Sequence, residues 1–307
     1  MEEGAKHLLC RWRGVRSDLP ARALTESDTV ALKPPSTLDL LGAVTNPVSF
    51  TRDLEKWTAP LDALAESNEH LSSEHVSYLS KHGALASLPK YVFSGPGDRR
   101  SHLKVGIFAG IHGDEDSGVE AIGRLVELLG RQPEIARGYE LFLYPVCNRH
   151  GYLANSRWSE GGLDLNREFW KGSEEPEVRV LEQELEANRF DGIVALHSDD
   201  TSEGLYGFVK GHELTRYVLE PALEAAGMFL PRNFDKSIDN FEANNGIITQ
   251  GYEGILTAPP TQKFRPFEIV FETPHLADAE RQVQAHLAAI AVILERFKVL
   301  ISEGQNI

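Results

Sequence analysis

The chain has 307 residues, 41% hydrophobic and 25% charged, with 46 acidic against 31 basic side chains and a formal net charge of −15. A chain of this length buries a core without disulfide staples, and its composition excludes a collagen, a coiled coil and a disordered acidic tail. The negative charge argues against nucleic acid or an anionic membrane as the main partner, because both require a basic footprint. It leaves room for an anionic substrate held by a local arginine cluster.

Residues 1–45 carry no sustained hydrophobic period and contain Pro20, Pro34 and Pro35, so an irregular extension is expected there. The first thirty residues lack the apolar stretch of a secretory signal. No run approaches the roughly 20 apolar residues of a membrane span. The expectation is a cytoplasmic protein with no membrane partner. Two cysteines, Cys10 and Cys147, are too few for a disulfide framework or a cysteine-rich zinc site, and Cys147 reads as a small buried residue.

A single catalytic domain is expected over residues 46–303. Within it, 50–66 places Leu54, Trp57, Leu61 and Leu64 on one helical face. A short strand over Lys90–Ser94 leads into the turn Gly95-Pro96-Gly97-Asp98. Lys104–Ala109 is a continuous apolar run, as in a strand buried on both faces. The spacing of Val119, Ile122, Val126 and Leu129 predicts a helix over Ser117–Leu129. A strand follows at Tyr139–Val146, then a helix opened by Ser173-Glu174-Glu175-Pro176, with a capping residue and a proline in its first turn. Asp191–Leu196 is another buried strand, Leu214–Ala226 a helix despite Pro221, Phe267–Phe271 the last strand, and Ala277–Ile301 a closing helix. Buried strands alternating with helices predict an α/β layered domain with a largely parallel or mixed sheet.

In such sheets, ligands bind beyond the carboxyl ends of the strands. His112 and Glu115 follow one apolar run, His197 follows another and Glu272 a third. The ionisable groups therefore collect at one edge. His112 and Glu115 form an H-x-x-E pair able to clamp one ion from a single turn, and His197 is the natural third ligand. Two imidazoles and a carboxylate suit Zn²⁺ and leave it an open position. Taken alone, an H-x-x-E pair also arises by chance, and a lone histidine is often a hydrogen-bonded core residue.

His112-Gly-Asp-Glu115, Asp164-Leu-Asn166-Arg167, His197-Ser198 and Phe271-Glu272-Thr273-Pro274 occur in that order. From about Asn46 to Phe297 the chain resembles the zinc carboxypeptidase superfamily, which includes carboxypeptidase A-like peptidases and the aspartoacylase/succinylglutamate desuccinylase branch. The resemblance implies a single-domain α/β fold with a mixed, mostly parallel eight-stranded sheet flanked by helices. It assigns one zinc ion to His112, Glu115 and His197, and general-base work to Glu272, which would take a proton from water and hand it to the leaving amine. It gives Asn166 and Arg167 to the substrate α-carboxylate, since arginine meets a carboxylate with two parallel hydrogen bonds. Arg157 resembles the arginine that stabilises the oxyanion. Asp164 would hold His112 through its second ring nitrogen. Tyr252, in the glycine-flanked loop Gln250-Gly251-Tyr252-Glu253-Gly254, resembles a mobile phenol that caps substrate. Asp199 and Asp200 either select a cationic group or form a solvated loop. His150, His212 and His275 receive no role.

The resemblance favours a metallocarboxypeptidase that removes C-terminal residues, because no room remains after the closing helix for the β-rich domain usual in the deacylase branch. The alternative is an amidohydrolase acting on N-acyl amino acids. A catalytically inactive peptide- or metal-binding relative is the third reading, and its signature, loss of a ligand or of Glu272, is not present. The expected partner is a peptide or N-acyl amino acid with a free carboxylate. Side-chain preference and oligomeric state have no signal in the sequence.

Overall fold

β-branched and aromatic side chains in short runs form the sheet. The computed structural model describes residues 52–304, so the expected extension over residues 1–45 lies outside the described part. The strands are β1 (Leu71–Leu79), β2 (Leu85–Ser94), β3 (Leu103–Phe108), β4 (Tyr139–Tyr144), β5 (Gly192–Asp199), β6 (Tyr206–Val209), β7 (Ser237–Ile238), β8 (Phe241–Glu242), β9 (Ile247–Ile248) and β10 (Phe267–Pro274). Among the described residues, eight of them make one sheet in the order β1-β2-β4-β3-β5-β10-β6-β9. The central strands β4, β3, β5 and β10 run parallel, while β1, β2 and β6 join by antiparallel pairing. The sheet is thus mixed and mostly parallel, as expected.

Helices cover both faces. On one side lie α1 (Leu54–Glu66), α2 (Asp116–Arg131), α5 (Glu220–Ala226) and α6 (Ala279–Gly304), packed on Val105, Ile107, Val194, Ile269 and Phe271. On the other lie α4 (Pro176–Asn188) and the segment carrying Leu165 and Phe169, packed on Phe108, Tyr144 and Ile193. The short α3 (Arg149–Ala154) lies between β4 and α4 in the chain. In α1, Leu54 and Leu61 are buried, while Trp57 and Leu64 are half-buried against the same core. No described helix is long and apolar enough to cross a membrane. Cys147 is a buried free thiol.

Several elements differ from the expectation. β2 is ten residues long rather than five, and β1, its hairpin partner, has no apolar run because much of it faces solvent. β5 and β10 continue past Leu196 and Phe271, in register through Asp199↔Pro274. His197 and Glu272 therefore sit inside the last rungs of their strands rather than after them. Backbone pairing carries the ladder on where hydropathy alone signals its end. α4 starts without a side-chain cap, and the Ser173 hydroxyl instead accepts from the Glu175 amide. The helical stretch 212–226 contains a π turn at Thr215–Leu219 just before Pro221. Proline has no N–H and its ring crowds the carbonyl four residues back, so the preceding turn widens.

Candidate metal centre and active site

Glu115 immediately precedes α2, without a side-chain capping bond to it, and His112 lies three residues earlier, on the loop that leaves β3. That loop passes very close to α3. A Cβ on Gly113 would meet the Gly151 carbonyl carbon at 1.9 Å, so only glycine fits there. Arg52 ties the same place from outside. Its Nη1 donates to the carbonyls of Gly113 (2.8 Å) and Tyr152 (2.9 Å), and its Nη2 to Asp116 Oδ2 (2.7 Å) and to Asn155 Oδ1. Nothing in the sequence marks Arg52, because its partners are 61 to 103 positions away.

The fold brings His112, Glu115 and His197 together. One donor atom from each lies within 4.8 Å of the others, and all three residues are buried. His112 Nδ1 contacts Glu115 Oε1, and His197 Nδ1 lies 2.9 Å from Glu115 Oε2. His112 Nε2 lies 3.1 Å from Asp164 Oδ1. Both ring nitrogens of His112 thus face carboxylates, yet a neutral imidazole carries a single N–H. Burial opposes a second proton, but Glu115 and Asp164 overcome it and push the imidazole up to about 9. A cation on the Nδ1 side would satisfy Glu115 without that proton. Two imidazoles and one carboxylate, with Asp164 orienting one ring from behind, fit Zn²⁺ in both donor type and support. His197 is shifted the other way, its charged form disfavoured by burial.

Glu272 lies beside His197 on the neighbouring parallel strand and pairs with Tyr206 on its other side. The residue is half-buried. Burial, followed by the charges of Glu115, Asp199 and Asp239, raises it well above the ordinary glutamate range. Asp199 is satisfied locally, accepting from the Tyr206 hydroxyl (2.8 Å) and from Thr201 (2.8 Å from its amide, 2.7 Å from its hydroxyl).

Arg157 holds Asp164 Oδ2 with Nε (3.2 Å) and Nη2 (2.8 Å), while its Nη1 reaches to 3.2 Å from His112 Nδ1 and 3.7 Å from Glu115 Oε1. Asn166 is buried; its Oδ1 accepts from the Leu256 amide (2.9 Å) and its Nδ2 lies 3.4 Å from His197 Nε2. Arg167 donates from Nη1 to the Asn166 carbonyl (2.8 Å), and its guanidinium lies 3.9 Å from the centre of the Tyr252 ring. The Tyr252 hydroxyl donates to Asp239 Oδ1 (2.8 Å). Asp239 and Asn240 are the two left-handed residues of the β7–β8 hairpin turn, with φ of 51° and 64°. In this state Tyr252 is a platform under Arg167. The loop behind it is equally tight: a Cβ on Gly254, whose φ is +76°, would meet the Arg167 carbonyl oxygen at 2.2 Å.

All the predicted site residues therefore gather at the carboxyl edge of β3, β5 and β10. The sequence marks no role for Arg52 or for a row of buried hydroxyls, Ser117, Ser198 and Thr273, two of them one residue after His197 and Glu272. Strand alternation is the signal that points to those two, since a residue next to a site-facing side chain must face the opposite layer.

Comparison with known proteins finds similarity in sequence profile and in fold. Residues 101–238 match the sequence profile of the succinylglutamate desuccinylase/aspartoacylase catalytic domain. Among solved structures, a metallopeptidase candidate from Shewanella amazonensis aligns with a TM-score of 0.67 at 20% identity, over 80% of this chain and 93% of that one. A metallo-carboxypeptidase from Pseudomonas aeruginosa, in complex with (2-guanidinoethylmercapto)succinic acid, aligns with a TM-score of 0.62 at 19% identity, over 84% and 70%. Carboxypeptidase A from Helicoverpa armigera aligns with a TM-score of 0.59 at 18% identity, over 88% and 79%. No curated protein matches the chain.

Proposed function

We propose that this chain belongs to the zinc carboxypeptidase superfamily, a reading supported by its fold and by the match over residues 101–238, and that it is a metal-dependent hydrolase that cleaves an amide bond beside a free α-carboxylate. Its preferred reaction in this reading is removal of the last residue of a peptide. The observation that carries the proposal is the convergence of His112, Glu115 and His197 with Glu272 on the adjacent rung.

Zn²⁺ held by His112, Glu115 and His197 would polarise the scissile carbonyl and acidify water. Glu272 takes the proton from the attacking water and returns it to the departing amine nitrogen. To do so it must ionise, and the repulsion from Glu115 that opposes this is removed when the charge of Glu115 is neutralised by a cation. Arg157 aims Nη1 at the same place and can donate to a carbonyl oxygen as negative charge builds there. Arg167 uses one Nη1 bond on the Asn166 carbonyl, and its remaining N–H groups are suited to a carboxylate, with Asn166 contributing its amide. The carboxylate ligand in the Pseudomonas aeruginosa enzyme is consistent with such an anchor.

A second reading, hydrolysis of N-acyl amino acids, is favoured by the family profile over residues 101–238. Both substrates place an α-carboxylate on the amine side of the amide, so the same anchors serve. Zinc content of the purified protein, measured with hydrolysis of N-blocked dipeptides and of N-acetyl and N-succinyl amino acids, tests the proposal. The expected result is one zinc per chain and cleavage of the dipeptides. Cleavage confined to N-acyl amino acids would select the second reading, and failure to bind zinc would remove both.

A further inference from the structure

Behind the candidate metal centre, on the face of the sheet away from the substrate side, lies a polar cluster in an otherwise apolar layer. Ser117 from α2, Ser198 from β5, Thr273 from β10, and Gln282 and His286 from α6 are exposed by 0–6%. Leu196, Phe271, Val283, Leu287 and Ile290 belong to the apolar core on this side of the sheet, and the Phe271 ring centre lies 5.8 Å from that of His286. On α6 the polar pair is spaced i, i+4, in the turns nearest the carboxyl edge of the sheet, and the helix continues with Ile290 and Leu294.

The Gln282 amide fixes one end of the hydrogen-bond pattern. Gln282 Nε2 donates to the carbonyls of His275 (3.0 Å) and Ala277 (2.8 Å), which uses both its hydrogens. Gln282 Oε1 is left to accept from Thr273 Oγ1 (3.2 Å) and Ser198 Oγ (3.3 Å). Ser198 and Thr273 are directly opposite one another on the parallel strands, with hydroxyls 3.0 Å apart. Ser117 Oγ lies 2.8 Å from Ser198 Oγ, and His286 Nε2 lies 3.2 Å from Ser117 Oγ and 3.3 Å from Thr273 Oγ1. His286 Nδ1 is buried and has no hydrogen-bond partner among the described residues, whose hydrogen bonds hold the ring from the Nε2 side.

Each strand hydroxyl is chained to a site residue through the backbone. Ser198 follows His197 and its amide donates to Glu115 Oε2 (3.1 Å). Thr273 follows Glu272, and its hydroxyl also lies 3.4 Å from the His197 carbonyl. Ser117 is two residues beyond Glu115 in the first turn of α2. Apolar side chains of similar volume would fill this seam without desolvating five polar groups, so the cluster is a costly choice for packing alone. What it adds is geometry, because a directional network allows one relative placement of β5, β10 and α2 where hydrocarbon allows several.

We propose that Ser117, Thr273 and His286, with Ser198 and Gln282, are positioning residues that fix His197 and Glu115 in the arrangement needed to hold the ion, and with them the neighbouring rung that carries Glu272. The inference rests on the zinc-site reading above. Groups that orient metal ligands from behind commonly change metal affinity by about 10–100-fold when removed.

The test uses Zn²⁺ alone, titrated into metal-free full-length protein against a chelator of known affinity, with the Co²⁺ absorption spectrum reporting ligand geometry. Thr273→Val keeps the volume and branching but loses the hydroxyl, and Thr273→Ser keeps the hydroxyl. Ser117→Ala makes the second comparison if Thr273→Val does not fold. The expected result is zinc binding about 10–100-fold weaker and a displaced Co²⁺ spectrum in Thr273→Val and Ser117→Ala, at temperatures where the metal-free variants remain folded. Thr273→Ser is expected to bind as the parent protein does. Parent-like zinc affinity and Co²⁺ spectra in Thr273→Val and Ser117→Ala would overturn the inference and leave the zinc-site reading intact. A parent protein that takes up no zinc would overturn both.

Discussion

His112 stands between the carboxylates of Glu115 and Asp164, and this one side chain states the electrostatic problem of the site. Three buried groups of opposing preference, His112, Glu115 and His197, can all be satisfied by one divalent cation, whereas protons satisfy only some of them. Glu272 has a different task. Glu272→Gln keeps shape and hydrogen bonding but cannot take a proton, so zinc content should stay at the parent level while kcat falls by roughly 10²–10⁴-fold. Metal analysis beside steady-state kinetics checks this, and a variant with full turnover would take Glu272 out of the mechanism. Arg167→Ala removes charge-assisted bonds worth about 1.5–3 kcal/mol. The expected outcome is a rise in KM of about 10–100-fold for a carboxylate-bearing substrate, with a smaller change in kcat. Equal KM values for parent and variant would contradict docking at Arg167.

The elements matter through where their ends fall. β5 and β10 extend to Asp199 and Pro274, which puts His197 and Glu272 on adjacent rungs of a rigid ladder. The apolar runs DGIVAL and FEIVF marked these strands in the sequence, but the polar rungs beyond them resemble loop when judged by hydropathy. β1 was illegible for the same reason, since its exposed positions carry Ser, Glu and His. The loop from β3 to α2 depends on a close approach that no periodicity reveals. Gly113 faces Gly151, and a Cβ there would overlap backbone at 1.9 Å. Gly113→Ala should therefore push His112 away from Glu115 and lower both zinc affinity and Tm, by several degrees if the cost is about 1–2 kcal/mol. Calorimetry with and without zinc measures both effects. A variant with parent Tm and zinc affinity would show that the loop can move aside at no cost.

At the scale of the whole molecule, one buried group ties stability to pH. Burial, with His197 nearby, lowers the His286 imidazole to about 3, whereas in the unfolded chain it titrates near its ordinary value of about 6.5. The unfolded state therefore binds the proton more readily. The contribution from this group is fully present above about pH 6.5 and is lost as the pH falls toward 3. By pH 5 the loss is about 2 kcal/mol. Urea unfolding of the parent protein and of His286→Leu, at pH 7.5 and pH 5, isolates this effect from that of the other titrating groups. The stability difference between the two proteins should shift by about 2 kcal/mol against the parent on acidification. A constant difference would mean that His286 takes up its proton within the fold.

The order of apolar runs and turn residues was enough to read the layered α/β class, the central strands β3, β4, β5 and β10, and the ionisable residues at their carboxyl edge, because alternation and helical spacing are local properties of a chain. Other features had to wait for distant segments to meet. Arg52 reaches Gly113, Tyr152, Asp116 and Asn155 across 61 to 103 positions. Tyr252, read as a free cap, lies under Arg167 because the β7–β8 turn brings Asp239 to its hydroxyl. The hydroxyl and imidazole cluster behind the metal centre draws on four elements. Contacts of this kind are decided by which side chains share a buried volume, and that sharing is set by the packing of sheet against helix rather than by any pattern within a single segment.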